Sequence, residues 1–290
     1  MQRTVHAFQI HAHIQDTALE DYRQLFRRIK SIPAKKRRQL IEERVITLSA
    51  VELTKDFVHI TAQDGDKNVK PLLYDTATNE ERIGEKEANE VVSVRTHAVV
   101  DLRTRFVAVE YNHRGAKASH LHQIISQLAL EFDEYKRITI EMPPLVGSGF
   151  LAELQKYGRI RVASVEMVRP NFDWDDCVDP IMAVAGQSEA QKIEISFFAQ
   201  PKESLSRSRG IVGSVIKIIH RGKAIFHNII LKGMKEGERA ETTLKLRNHT
   251  EQRKIEVAAS ADDGHPVPGE VIQGLMQYLN DLRESSQTEK

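Results

Sequence analysis

Two strand-like runs, residues 91 to 100 and 103 to 111, are separated by nothing more than Asp101 and Leu102. A parallel crossover needs a dozen or more residues, so these runs can pair only as an antiparallel hairpin. The rest of the chain repeats the lesson. Strand-like runs at 44 to 53 and 56 to 63 are split by Lys55 and Asp56, and runs at 224 to 233, 240 to 247 and 252 to 259 follow one another with short connections. Helical stripes are fewer and lie between groups of strands, which predicts an α+β fold rather than an alternating parallel one.

The first strand spans residues 5 to 14. A helix capped by Asp16 or Thr17 follows to about Lys30, with Leu19, Tyr22, Leu25, Phe26 and Ile29 at helical spacing, until Pro33 interrupts it. A second short helix starts there. Residues 64 to 90 hold eight acidic and four basic side chains with few large apolar ones, and read as a loop-rich excursion with one strand near Leu72 to Tyr74. After the central hairpin, a helix starting near Ser119 buries Leu121, Ile124, Ile125, Leu128 and Phe132. A strand at 137 to 142, a short helix from Ser148 and a strand at 159 to 168 complete this part.

Between Pro170 and Gln191 there are five acidic residues and no basic ones, with Pro and Gly interspersed. This predicts two domains, 1–170 and 192–290, each a mainly antiparallel sheet with flanking helices, joined by an acidic linker at 171–191. The second begins with Ile193, Ile195 and Phe197 alternating against Lys192, Glu194 and Ser196. It continues with a helix over 203 to 221, where the Ile and Val density from 211 to 219 leaves a strand as the alternative, and ends in a helix from about Pro268 to Arg283.

The chain has 42 Lys and Arg against 41 Asp and Glu, so a whole-molecule field cannot attract a polyanion and any such attraction is local. Its single Cys177 excludes an internal disulfide framework and multi-cysteine metal sites. With no apolar signal core at the start, and no run near the roughly 20 apolar residues of a membrane span, the expectation is a cytoplasmic protein with no membrane partner.

Polar chemistry concentrates after the central hairpin, in Glu110, Tyr111, Asn112, His113, Arg114, Lys117, Ser119, His120 and His122. The loop runs into a helix N-terminus, where free N–H groups and the dipole favour phosphate, and Arg114 and Lys117 add full charges. Gly115 permits close approach or a positive φ. A solvated turn is the competing reading. His120 and His122, two positions apart, point to different edges of a helix and cannot chelate one ion. His11 and His13 share a strand face without a carboxylate beside them in sequence. His59-Ile60-Thr61 matches one arm of a two-histidine phosphoesterase pattern but lacks a second, and reads as an ordinary strand.

Two basic clusters add to this. Residues 23 to 44 carry nine basic side chains, of which Arg27, Arg28, Lys35, Lys36, Arg37 and Arg38 are the candidate contacts. Residues 202 to 223 contribute Arg207 and Arg209 in a Ser-rich loop. Aromatic residues are not interleaved with either, and no helix-turn-helix, zinc finger or ribonucleoprotein motif is present, which argues against base stacking and sequence-specific reading.

The segment Val109-Glu110-Tyr111-Asn112, followed two residues later by Gly115-Ala116, resembles bacterial proteins carried in phage-defence neighbourhoods, in particular RexA-like exclusion proteins and the DNA-binding subunit of Kiwa-type systems. The resemblance implies a dimeric cytoplasmic protein that binds nucleic acid or senses a phage component, with a phage or defence-system protein as a further partner. The resulting expectation is a non-catalytic nucleic-acid binder of low sequence specificity, for DNA rather than RNA, with no cofactor and no metal. A metal-assisted nuclease or phosphodiesterase built on Glu110 and His113 is the first alternative, and a protein-interaction scaffold the second.

Overall fold

The computed structural model describes residues 1–15, 17–66, 68–75, 80–85, 87, 90–168, 192–261 and 264–288. The central hairpin forms as the sequence requires: β9 (Val92–Asp101) pairs antiparallel with β10 (Phe106–Tyr111), Val100 opposite Val107 and Ala98 opposite Val109. Its turn is longer than the Asp101-Leu102 connection predicted. Asp101, fully buried, accepts from the Arg103 N–H and the Thr104 hydroxyl, and Arg105 takes a positive φ of 63° to close the loop.

This hairpin is the middle of a seven-stranded sheet in the order β16-β1-β10-β9-β6-β5-β4, antiparallel at every junction. The other members are β1 (Gln2–Gln9), β4 (Arg38–Ile41), β5 (Arg44–Leu53), β6 (Phe57–Asp66) and β16 (Gln252–Glu256). The near-continuous apolar runs in β9 and β10 reflect burial on both faces. On one face Ala98, Val100, Val107 and Val109 meet helices α1 (Tyr22–Ser31) and α2 (Ala118–Ala129). On the other, Val5, Ala7, Val99, Phe106 and Ala108 meet Val271, Leu275, Tyr278 and Leu279 of the C-terminal helix α5 (Pro268–Thr288). Each such large side chain contributes about 1.5–3 kcal/mol through burial.

A second, four-stranded sheet has the order β13-β12-β14-β15, from β12 (Tyr157–Val168), β13 (Lys192–Phe198), β14 (Phe226–Lys235) and β15 (Glu241–Lys245). Helices α3 (Ser148–Gln155) and α4 (Gly210–His220) share its core through Phe150, Leu154, Val212 and Val215. A small sheet, β11-β2-β3, and a hairpin of β7 (Leu72–Asp75) and β8 (Glu80–Ile83) complete the set. The small sheet comprises β2 (His11–Ile14), β3 (Thr17–Ala18) and β11 (Ile138–Glu141). The α+β class with antiparallel sheets is as expected.

Several boundaries differ from the sequence reading, each for a physical reason. Helix α1 starts at Tyr22 because Thr17 and Ala18 pair with β2, and Asp21 supplies the cap, accepting from the Gln24 N–H at 2.8 Å. Strand β6 runs on through Asp64 to Asp66, because Asp64 is ion-paired and Gly65 lies where a side chain would strike Val91. The 64 to 90 excursion thus holds a hairpin rather than one strand. Helix α4 begins only at Gly210, with Arg209 as its N-cap.

The acidic stretch 171–191 lies outside the described residues. The strands on either side of it pair with each other, Val168 opposite Lys192 and Val162 opposite Phe198, while β16 and α5 return to the first sheet beside β1. Strands from both sides of the acidic stretch thus share the second sheet, and β16 and α5 pack with the N-terminal strands of the first. A change in composition marks where chain is polar, whereas strand pairing is chosen by which edges are open.

Candidate functional site

The polar residues of 95 to 120 gather at one end of the seven-stranded sheet, and the sheet separates them into two groups. On the α5 face lies Glu110, only 1% exposed. A buried carboxylate is tolerable only with donors around it. Here the His97 backbone N–H and its Nδ1–H donate to Oε2 at 3.2 and 2.9 Å, and Arg3 Nε stands 3.6 Å from Oε1. The partner of Glu110 is thus His97, on the neighbouring strand, rather than the exposed His113. Because an ionised carboxylate only accepts, His97 Nδ1 carries the proton of this bond. Its Nε2 is buried, has no hydrogen-bond partner among the described residues, and accepts wherever the ring is neutral.

On the α1/α2 face the centre is Asp64, equally buried. Arg44 Nε meets its Oδ1 at 2.5 Å and the Arg44 Nη2–H donates to the Arg114 carbonyl at 2.9 Å. His120 Nδ1 lies 3.7 Å from Asp64 Oδ2 and accepts from the Lys117 N–H at 3.4 Å. Within the loop, the Arg114 N–H is taken by Asn112 Oδ1 and the Gly115 N–H by the Asn112 carbonyl. Three of the loop's N–H groups are therefore already satisfied internally. Gly115 does not have a positive φ. It is needed for space, since a Cβ there would sit 2.4 Å from Thr96 Oγ1.

A cavity opens on each face. One, of about 270 Å³, is lined by Arg3, Gln63, Arg95, His97, Glu110 and Asn112, with His265 and Pro266 ahead of α5 as a further wall. The other, of about 260 Å³ and mainly apolar, lies between β1, β10 and the start of α2, where His6, Tyr111, Lys117 and Ser119 surround Phe8 and Val109.

No protein-family model and no curated protein sequence matches the chain. The functional reading rests on the placement of its residues.

Of the predicted contacts, Arg27, Lys35, Lys36, Arg38, Arg114, Lys117, Arg207 and Arg209 are exposed. Arg28 is exposed but engaged, paired with Glu134 at 2.6 Å and stacked over Phe132. Arg37 is a correction: at 7% exposure it faces inward, its Nε and Nη1 lack hydrogen-bond partners among the described residues, and burial lowers its pKa, so it is not a surface contact. The bond from Arg44 to Arg114 joins the 23–44 cluster to the 111–122 loop. The 202–223 cluster belongs to the other sheet, where Arg207 donates to the Gln155 carbonyl at the end of α3 at 3.3 Å.

The histidines separate as the helix geometry demands, His120 toward Asp64 and His122 donating to the Ile140 carbonyl at 2.7 Å. His59-Ile60-Thr61 lies within β6. Glu141 is the residue opposite His11 across β2 and β11, but its carboxylate pairs with His227 at 2.8 Å, while His11 Nε2–H donates to the Ala224 carbonyl at 2.7 Å. Burial pushes His11 down to about 3. Among the described residues, no three His, Cys, Asp or Glu side chains form a group able to hold a metal ion.

Sequence reasoning missed His97, Asp64 and Arg3. The hairpin register would have given the first, since residues 97 and 110 face each other once 98 and 109 pair.

Proposed function

We propose that this protein binds nucleic acid, DNA in preference to RNA, as a non-catalytic partner with little sequence specificity. The observation that carries this reading is the Arg44 bond to the Arg114 carbonyl. It brings the start of β5 beside the loop that bears Arg114 and Lys117, while Arg38 lies further along the same hairpin, opposite Thr47, and Lys35 and Lys36 precede it in the short turn that ends at Arg37. Exposed cations from two distant segments then serve one polyanion, where backbone phosphates are met by charge and not by base edges.

The test is a titration of an arbitrary duplex at rising salt, comparing the parent with a variant in which Lys35, Lys36, Arg38 and Arg114 are all Gln. The variant should bind more weakly and its log–log salt slope should be shallower by roughly two to four units. Unchanged affinity and slope in a folded variant would remove this surface. The buried Glu110–His97 pair favours one competing reading, a phosphodiesterase. Cleavage of an end-labelled duplex, abolished by Glu110→Gln, would put that reading first.

A further inference from the structure

The cavity on the α5 face is separate from the proposed polyanion surface, and its wall is made of groups that a polypeptide rarely leaves together without use. Gln63 on β6 is directly opposite Arg95 on β9, and the Asn112 amide donates to the Arg95 carbonyl at 3.5 Å. Arg3 precedes Thr4, which pairs with Tyr111 at the end of β10. The two arginines thus stand on strands two positions apart, a backbone separation of about 10 Å, with β10 between them. Side chains of that length can close on one oxyanion above the middle strand. The Arg3 Nε has no hydrogen-bond partner among the described residues, and its separation from Glu110 is too long for one.

Beneath these cations lies the second and independent feature. His97 is 2% exposed and lines the cavity. Glu110 takes the Nδ1–H, so in the neutral ring the Nε2, without a hydrogen-bond partner among the described residues, is a buried acceptor open to a donor brought from outside. Two guanidinium groups offset one buried carboxylate and leave a net positive charge facing the opening. The volume, about 270 Å³, is at the small end for ligand sites and suits a phosphorylated sugar rather than a larger cofactor.

We propose that this cavity is a binding site for a small phosphate ester that carries a free hydroxyl. Arg3 and Arg95 hold the phosphate by charge-assisted hydrogen bonds, and His97 Nε2 accepts from the hydroxyl, in an orientation set by Glu110. Specificity arises from requiring both groups at once: an anion without a hydroxyl leaves Nε2 unpaired, and a neutral sugar leaves the arginines unused.

The experiment is titration of the intact chain by calorimetry with ribose 5-phosphate, sulfate and ribose, alongside long-range nitrogen–proton spectra of the histidine rings. Ribose 5-phosphate should bind at least roughly ten-fold more tightly than sulfate or ribose, and its binding should shift the His97 Nε2 resonance. Arg95→Met, an exposed substitution that leaves the core untouched, should weaken binding by about ten-fold or more, as should Arg3→Met. His97→Phe should erase the preference for ribose 5-phosphate over sulfate. Should that variant fail to fold, the Nε2 shift and the two arginine variants still decide the matter. The proposal is overturned if the three probes bind alike or not at all, or if Arg95→Met and Arg3→Met bind like the parent. These outcomes are independent of the duplex titration, because the Lys35, Lys36, Arg38 and Arg114 replacements leave this cavity intact.

Discussion

Replacing Gly115 by Ala tests whether the loop's glycine serves backbone conformation or space. A Cβ at this position would lie 2.4 Å from Thr96 Oγ1, with Asn112 Cβ and Cγ at 3.1 and 3.3 Å. The first contact is far inside normal van der Waals range, and Thr96 is fully buried in β9, so it cannot swing away. Overpacking of this kind costs about 1–3 kcal/mol. Thr96→Ala by itself should be close to neutral. It loses a methyl group worth about 1 kcal/mol but also removes a buried hydroxyl that has no hydrogen-bond partner among the described residues. In that background the clash with Oγ1 is gone, and only the milder Asn112 contacts remain.

The expected result, read from urea unfolding of the parent, the two single variants and the double variant, is a Gly115→Ala cost that falls by about 1 kcal/mol or more once Thr96 is Ala. Equal m-values across the four proteins keep the comparison valid. If Gly115→Ala costs the same with Thr96 and with Ala at position 96, the steric account built on Thr96 is wrong. The Asn112 side chain would then be the constraint.

Acid should destabilise the protein through His11. Its folded pKa of about 3 against the ordinary 6.5 means that the unfolded chain takes up the proton first, so the stability it supports is complete above pH 6.5 and is lost progressively as pH falls toward 3. Between pH 7 and 5 this single group accounts for about 2 kcal/mol, in a setting where Arg105, His13 and His227 also oppose its charge and Glu141 lies opposite. A His11→Asn variant should lose correspondingly less over that interval, and parallel stability curves for the two proteins would contradict the assignment. Arg44→Met should cost about 3 kcal/mol, because it strands the Asp64 carboxylate in the sheet. Adding Asp64→Asn should recover part of that loss, and a melting temperature equal to the parent's for Arg44→Met alone would show the pair to be unimportant.

Periodicity determined most of the local structure. The apolar runs on either side of Asp101, the alternation after Lys192 and the stripes Tyr22, Leu25, Phe26, Ile29 and Leu121, Ile124, Ile125, Leu128 each state how a segment must be buried, and each forms the predicted kind of element. The hairpin of β9 and β10 was equally legible, because a short connection leaves one way to pair. What the sequence could not state was which distant segment would meet each surface. Strand β16 adds to β1, and α5 covers the face of the first sheet opposite α1 and α2. Strand β12 takes β13 as its neighbour across the acidic stretch, because loop-closure cost grows so slowly with length that separation along the chain hardly restricts the choice.

The candidate site shows the same division. Asp64 reads as loop when seen alone, since an acid in a buried strand is costly, and it becomes strand only because Arg44 returns to neutralise it. Arg37 looked like part of a solvated basic run until packing turned it inward. Glu110 was visible as a candidate, but its orientation toward His97 and Arg3, on the face away from Arg114 and Lys117, was decided by the alternation of side chains across a sheet whose two sides are both covered.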